Sequence, residues 1–144
     1  MEIPWYNILK FVHVGSIVMG MGAAVFMHLQ FVRKELTWGQ LKHFFHFGNR
    51  IIWIGLMLAG VTGITLWIVA DTSRPPVFYG KLALVAMVII DGWIIHRIGR
   101  PLLAGLPDDQ LMAKLPDAVR KTFMRSGVVS VLGWWGALAI AMIF

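Results

Sequence analysis

Three charge-free runs, Phe11 to Val32, Ile51 to Ala70 and Ser126 to Phe144, each approach the ~20 residues that an α-helix needs to cross ~30 Å of hydrocarbon. Lipid offers no partner for a bare backbone group, so runs of this kind fold as helices, which satisfy their own hydrogen bonds. A shorter run between Lys81 and Arg97 is interrupted by Asp91. Tyr79 and Lys81 can reach an interface by snorkelling, so Val77 to Ile98 is expected as a further span, third in chain order. The connectors are polar: Arg33 to Phe45, Asp71 to Pro76 with its helix-breaking Pro75-Pro76 pair, and Gly99 to Lys121. The expectation is an all-α integral membrane four-helix up-down-up-down bundle, one transmembrane domain over 1-144 with spans at about 7-32, 47-70, 77-98 and 123-144.

Composition supports that class, with 58% hydrophobic and 14% charged residues. The formal charge of +6 belongs to topology rather than to nucleic acid, because Lys and Arg in a membrane chain mark the side on which loops lie. Absence of cysteine excludes disulfides, thiolate metal sites and covalent heme attachment, and leaves imidazole, thioether and carboxylate as possible ligands. Met1 to Asn7 carries Glu2 and Pro4 and no basic region or small-residue cleavage site, so the first helix is expected to remain in the mature protein.

Arg33, Lys34, Lys42, Arg50, Arg97, Arg100, Lys114, Arg120, Lys121 and Arg125 flank one end of the spans, and Lys10, Arg74 and Lys81 the other. This asymmetry predicts that the two larger loops are cytoplasmic and both termini extracytoplasmic, in the inner (plasma) membrane. Trp5, Tyr6, Trp67 and Tyr79 then form an outer aromatic belt, with Trp38 at the inner one. The last connector is expected to hold a short interfacial helix from about Asp108 to Leu115. Small residues recur in the spans, among them Gly20, Gly55, Gly60 and Gly133; they read as close helix packing, or as room for a flat macrocycle.

His28, His46 and His96 all fall within roughly 8 Å of the basic boundary at ~1.5 Å rise per residue. Spans one and three are diagonal in a bundle wound in sequence order, so His28 and His96 are candidate axial ligands of a heme b iron. His46 then supports the site, and with Arg50 one turn later is a candidate partner for heme propionates. For any one of these histidines alone, solvation among headgroups is the simpler reading. Asp91 is five residues from His96, and at ~100° per residue the two point some 140° apart on one helix, which disfavours a shared non-heme metal.

Asp91 is the costliest residue in the chain, and is either a proton relay or quinol-facing acid, or a partner in a helix-helix hydrogen bond to Ser126, Ser130 or a backbone carbonyl. His13 lies about 22 Å from His28 by helical rise, at the other boundary, where a second cofactor or a quinone role is conceivable. His43 belongs to the loop and reads as solvated. Met19, Met21, Met27, Met57 and Met87 suggest a copper path less well than adaptable packing.

The segment Lys10-Phe11-Val12-His13-Val14-Gly15 resembles the opening of small bacterial membrane proteins of the copper-resistance D and membrane protoporphyrinogen oxidase types. The third span, from Lys81-Leu82-Ala83-Leu84-Val85 through Asp91-Gly92-Trp93-Ile94-Ile95-His96 to Pro101-Leu102, is similar to the corresponding helix of a broad group of four-helix relatives. The resemblance implies heme association through His13, with His96 as a further candidate, and for the oxidase type a quinone-linked oxidation of a porphyrinogen. Where that type carries a lysine early in its second span, Arg50 and Trp53 stand here, so that activity is not carried over.

Together these observations point to a heme b membrane electron-transfer protein linked to a quinone and a redox partner, as an oxidoreductase or its heme subunit. Two other classes stay open: a cofactor-free accessory subunit of a larger respiratory or photosynthetic complex, and a small metal-ion or copper permease.

Overall fold

In the computed structural model of the chain, residues 4-69 and 76-143 are described. Glu2 and the connector carrying Arg74 and Pro75 lie outside the described residues. Among the described residues four helices are long and apolar enough to cross a membrane, and they form a four-helix bundle in which successive spans run antiparallel. They are α1 (Pro4–Val32), α2 (Trp38–Val69), α3 (Pro76–Ile94) and, after the last connector, α5 (Asp117–Ile143). Beyond α3 the helix widens into a π turn, Ile95–Gly99, and continues as the short α4 (Arg100–Ala104).

Two helices begin earlier than their apolar runs. At Thr37-Trp38-Gly39-Gln40 the Gln40 side chain accepts from the Thr37 backbone N–H at 3.0 Å, one half of a capping box, so α2 starts at Trp38, well before its apolar run. Likewise Asp117, following Pro116, places an acid in the first turn of α5 and opens that helix ahead of its apolar stretch.

The chain packs as two tight hairpins, α1 with α2 and α3 with α5; α1 then meets α5, while α2 and α3 touch sparsely. At Gly55 the two backbones of the first hairpin come close, since a Cβ there would lie 2.9 Å from the Ser16 carbonyl oxygen and 3.0 Å from the Gly20 backbone. Small residues here let helix backbones come together where lipid supplies no hydrophobic drive. Gly15, Gly22 and Gly60 have nothing within 4 Å of an added Cβ, so they serve no such crossing.

At the basic end the two connectors are bound together. The N–H groups of Trp38 and Gly39 donate to the carbonyls of Gln110 and Asp108 at 2.9 and 2.8 Å, and Met112 N–H donates to Leu36 at 2.9 Å. Lys42 Nζ donates to both oxygens of Asp108, at 2.8 and 2.6 Å. This pairing replaces the expected interfacial helix from Asp108 to Leu115: only Met112–Lys114 forms a single 3-10 turn, because the backbone of the segment is engaged with residues 36-39. Trp38 is likewise corrected. The residue is 6% exposed and packs in a core with Leu41, Leu103, Met112, Val119 and Phe123, not in an aromatic belt.

Candidate functional site

One cleft opens among all four long helices toward the basic end. Most of its wall is apolar, contributed by residues such as Leu56, Val88 and Phe123. Into it project His28 from α1, Asn49 and Trp53 from α2, Asp91 from α3, and Ser126, Ser130 and Trp134 from α5.

His28 is held in one orientation. Its Nδ1 lies 2.7 Å from the carbonyl oxygen of Ala24, one turn earlier. A carbonyl can only accept, so Nδ1 carries a proton, and in the neutral ring Nε2 would keep the lone pair. The ring rests on Gly127 of α5, where a Cβ would lie 2.6 Å from its Cδ2 and 3.0 Å from Nε2. Only a residue without a side chain leaves room for the imidazole there.

Asp91 lines the same cleft from α3. The Ser126 hydroxyl donates to its Oδ2 at 2.6 Å, so the helix-helix hydrogen bond weighed for Asp91 is present, with Ser126 as the donor. Ser126 itself is 8% exposed. Burial of a carboxyl in an apolar wall is costly unless hydrogen bonds compensate, and one such bond serves only one oxygen. Trp134, 5% exposed, adds an unmatched donor: its buried Nε1 makes no hydrogen bond among the described residues.

The remaining candidate residues lie elsewhere. His96 is exposed on the π turn and does not line the cleft. The two imidazoles proposed as an axial pair therefore do not share a cavity, and the residues present do not fit a heme held between His28 and His96. The physical reason is helical phase: with Asp91 and Ile95 turned into the cleft, the residue after Ile95 turns out. His46 and Arg50 are exposed as well; Arg100 Nη2 lies 3.4 Å from His46 Nδ1. His43 is exposed as well, but it lies within α2 and not in the expected loop, because that helix already starts at Trp38.

His13 belongs to the far end of the α1–α2 hairpin. Thr62 donates its hydroxyl to the Leu58 carbonyl at 2.6 Å and so accepts from His13 Nδ1 at 2.9 Å. This bond pins the two helices, and among the described residues no group of three or more His, Asp or Glu side chains is placed to hold a metal ion.

The sequence reading singled out His28 and Asp91 but missed Asn49, Trp53 and Trp134. Asn49 carries a signal, being an amide next to Arg50 at the basic boundary; the unmatched Trp134 N–H carries none, because only tertiary packing decides it. No family model, no curated protein and no solved structure matches this chain.

Proposed function

We propose that this protein is a multi-pass protein of the inner (plasma) membrane that binds a quinone or quinol in the cleft and exchanges protons with it through His28 and Asp91. The observation that carries the reading is the pairing of an imidazole fixed in one orientation with an intramembrane carboxyl inside one apolar cleft. A quinone ring is flat and apolar with carbonyl oxygens at opposite edges; the corresponding quinol presents hydroxyls. The cleft supplies both kinds of partner: Nε2 of His28 and Asp91 can accept, and Trp134 Nε1 and the Asn49 amide can donate. An unmatched buried donor costs roughly 1–3 kcal/mol, which a ligand carbonyl would recover.

The loose contact between α2 and α3 supports lateral entry from lipid, where quinones reside. The excess of Lys and Arg at the loop-bearing end supports an orientation with the cleft near the cytoplasmic surface and both termini extracytoplasmic.

Tryptophan quenching by a soluble short-chain ubiquinone analogue and by menadione tests this in detergent, because Trp53 and Trp134 line the cleft. Saturable quenching in the wild type that is lost in His28→Phe supports the reading. Linear, unsaturable quenching with both compounds overturns it.

One observation favours a second reading. An imidazole whose Nδ1–H is anchored on a carbonyl is oriented as iron-ligating histidines are, so His28 can serve as the sole protein ligand of a heme b. A visible spectrum of protein expressed with ample heme decides this: a Soret band and a dithionite-induced α-band that vanish in His28→Ala are its signature.

A further inference from the structure

The lipid-facing side of the α2–α3 seam carries a second polar arrangement, built from His46, Arg50, His96 and Arg100. Trp53 and Gly92 mark where the two helices meet, Trp53 Cζ2 lying 3.5 Å from the position of a Gly92 Cβ. Taking Trp53 as the reference on α2, His46 and Arg50 lie roughly 20° and 60° to one side, and Asn49, in the cleft, roughly 40° to the other. On α3, with Gly92 as reference, His96 lies roughly 40° to one side and Ile95, also in the cleft, roughly 60° to the other. Because the helices are antiparallel, the sides away from the cleft coincide. His46, Arg50 and His96 therefore share one outward groove, and all are exposed.

Arg100 closes the groove at its basic end. On an unbroken α-helix it would stand roughly 80° around from Gly92. The π turn over Ile95–Gly99 takes up more residues per turn and brings it back toward α2, where Nη2 meets His46 Nδ1 at 3.4 Å. The guanidinium can only donate, so His46 Nδ1 accepts and its Nε2–H becomes another donor. Among the described residues the ion pairs are Arg33–Glu35, Lys42–Asp108 and Arg120–Asp117, so neither Arg50 nor Arg100 has a carboxylate partner. Two guanidinium groups and an imidazole donor face outward at the level where the helices leave the hydrocarbon.

We propose that this groove binds the phosphate of an anionic phospholipid such as phosphatidylglycerol. Arginine suits the phosphate oxygens through paired N–H donors, and a headgroup without an ammonium avoids repulsion from the same two cations. The acyl chains would lie along the α2–α3 seam. This site does not depend on what occupies the cleft.

Native mass spectrometry from neutral detergent, with phosphatidylglycerol and phosphatidylcholine of matched acyl chains in competition, tests it. Wild-type protein is expected to retain phosphatidylglycerol preferentially, and Arg50→Gln/Arg100→Gln to bind it roughly tenfold more weakly. Arg50→Lys/Arg100→Lys keeps the charge and should keep part of the preference, and Arg120→Gln, at an ion-paired arginine on the same end, should keep all of it. Equal retention of the two lipids by the wild type, or full preference in the Gln double variant with wild-type helicity, overturns the proposal. Displacement of phosphatidylglycerol by millimolar inorganic phosphate, with the same dependence on the two arginines, assigns the groove to a soluble anion and overturns the lipid assignment.

Discussion

The hydroxyl of Ser126 on α5 donates a 2.6 Å hydrogen bond to Oδ2 of Asp91 on α3, joining the two helices of the second hairpin at the wall of the cleft. Ser126→Ala removes that donor and is expected to destabilise the protein by about 0.5–2 kcal/mol, the range of intramembrane side-chain hydrogen bonds. Asp91→Asn keeps an acceptor for Ser126 and should lose less. Unfolding titrations from mild detergent into dodecyl sulfate check both. For proton exchange the order reverses: Asp91→Asn should abolish proton uptake on quinone reduction, and Ser126→Ala should only slow it.

Gly127→Ala places a methyl where the His28 ring lies, 2.6 Å from Cδ2. The imidazole must turn away and give up its bond to Ala24, at an expected cost of about 1–3 kcal/mol. Quinone-dependent quenching should fall with it. Gly22→Ala, at a glycine with open space around it, is the matched control and should leave both measurements near wild type.

Trp134→Phe removes a buried donor that has no partner while keeping an aromatic ring. In the absence of ligand the variant is expected to be as stable as the wild type or about 1 kcal/mol more stable, since an unmatched N–H opposes folding. Quinone affinity should drop by about tenfold, the worth of one recovered hydrogen bond. A variant that is destabilised and binds quinone normally contradicts the assignment of this N–H to the ligand.

The basic end separates packing from surface charge. Leu103, 1% exposed, should cost about 2–5 kcal/mol on replacement by alanine. Lys42→Ala breaks a short but largely solvated pair with Asp108 and should cost less than about 1 kcal/mol. Thermal unfolding in detergent measures the difference.

At the opposite end, Thr62→Val removes the acceptor of His13 while preserving shape. The expected loss is about 1 kcal/mol in stability, with quinone binding and any heme spectrum unchanged, because neither residue lines the cleft. A changed spectrum in this variant would move the cofactor to the far end of the bundle.

How much of this was legible in the sequence varied with the length scale of the signal. The spans were readable because hydrocarbon thickness imposes apolar runs, and the diagonal placement of α1 and α3 followed from short connectors. The start of α2 was also written locally, in Thr37 and Gln40, though an apolar window passes over it. Azimuth was less accessible. His96 and Asp91 point apart on one helix, so at most one of them can face the interior; depth made His96 look suitable, but packing of Val88 and Ile95 turned Asp91 inward instead. The π turn left no advance sign, since Ile95 to Gly99 would extend an ordinary helix equally well. Nor could the pairing of residues 36–39 with 108–112 be foreseen, because those segments are distant in the chain and lack strand patterning.

That pairing has a consequence for biogenesis. When the first hairpin has entered the bilayer, the N–H groups of Trp38 and Gly39 and the carbonyl of Leu36 still await partners supplied by residues 108 to 112, which leave the ribosome only after α3. Completion of this seal therefore reports that the second hairpin has arrived and docked in register.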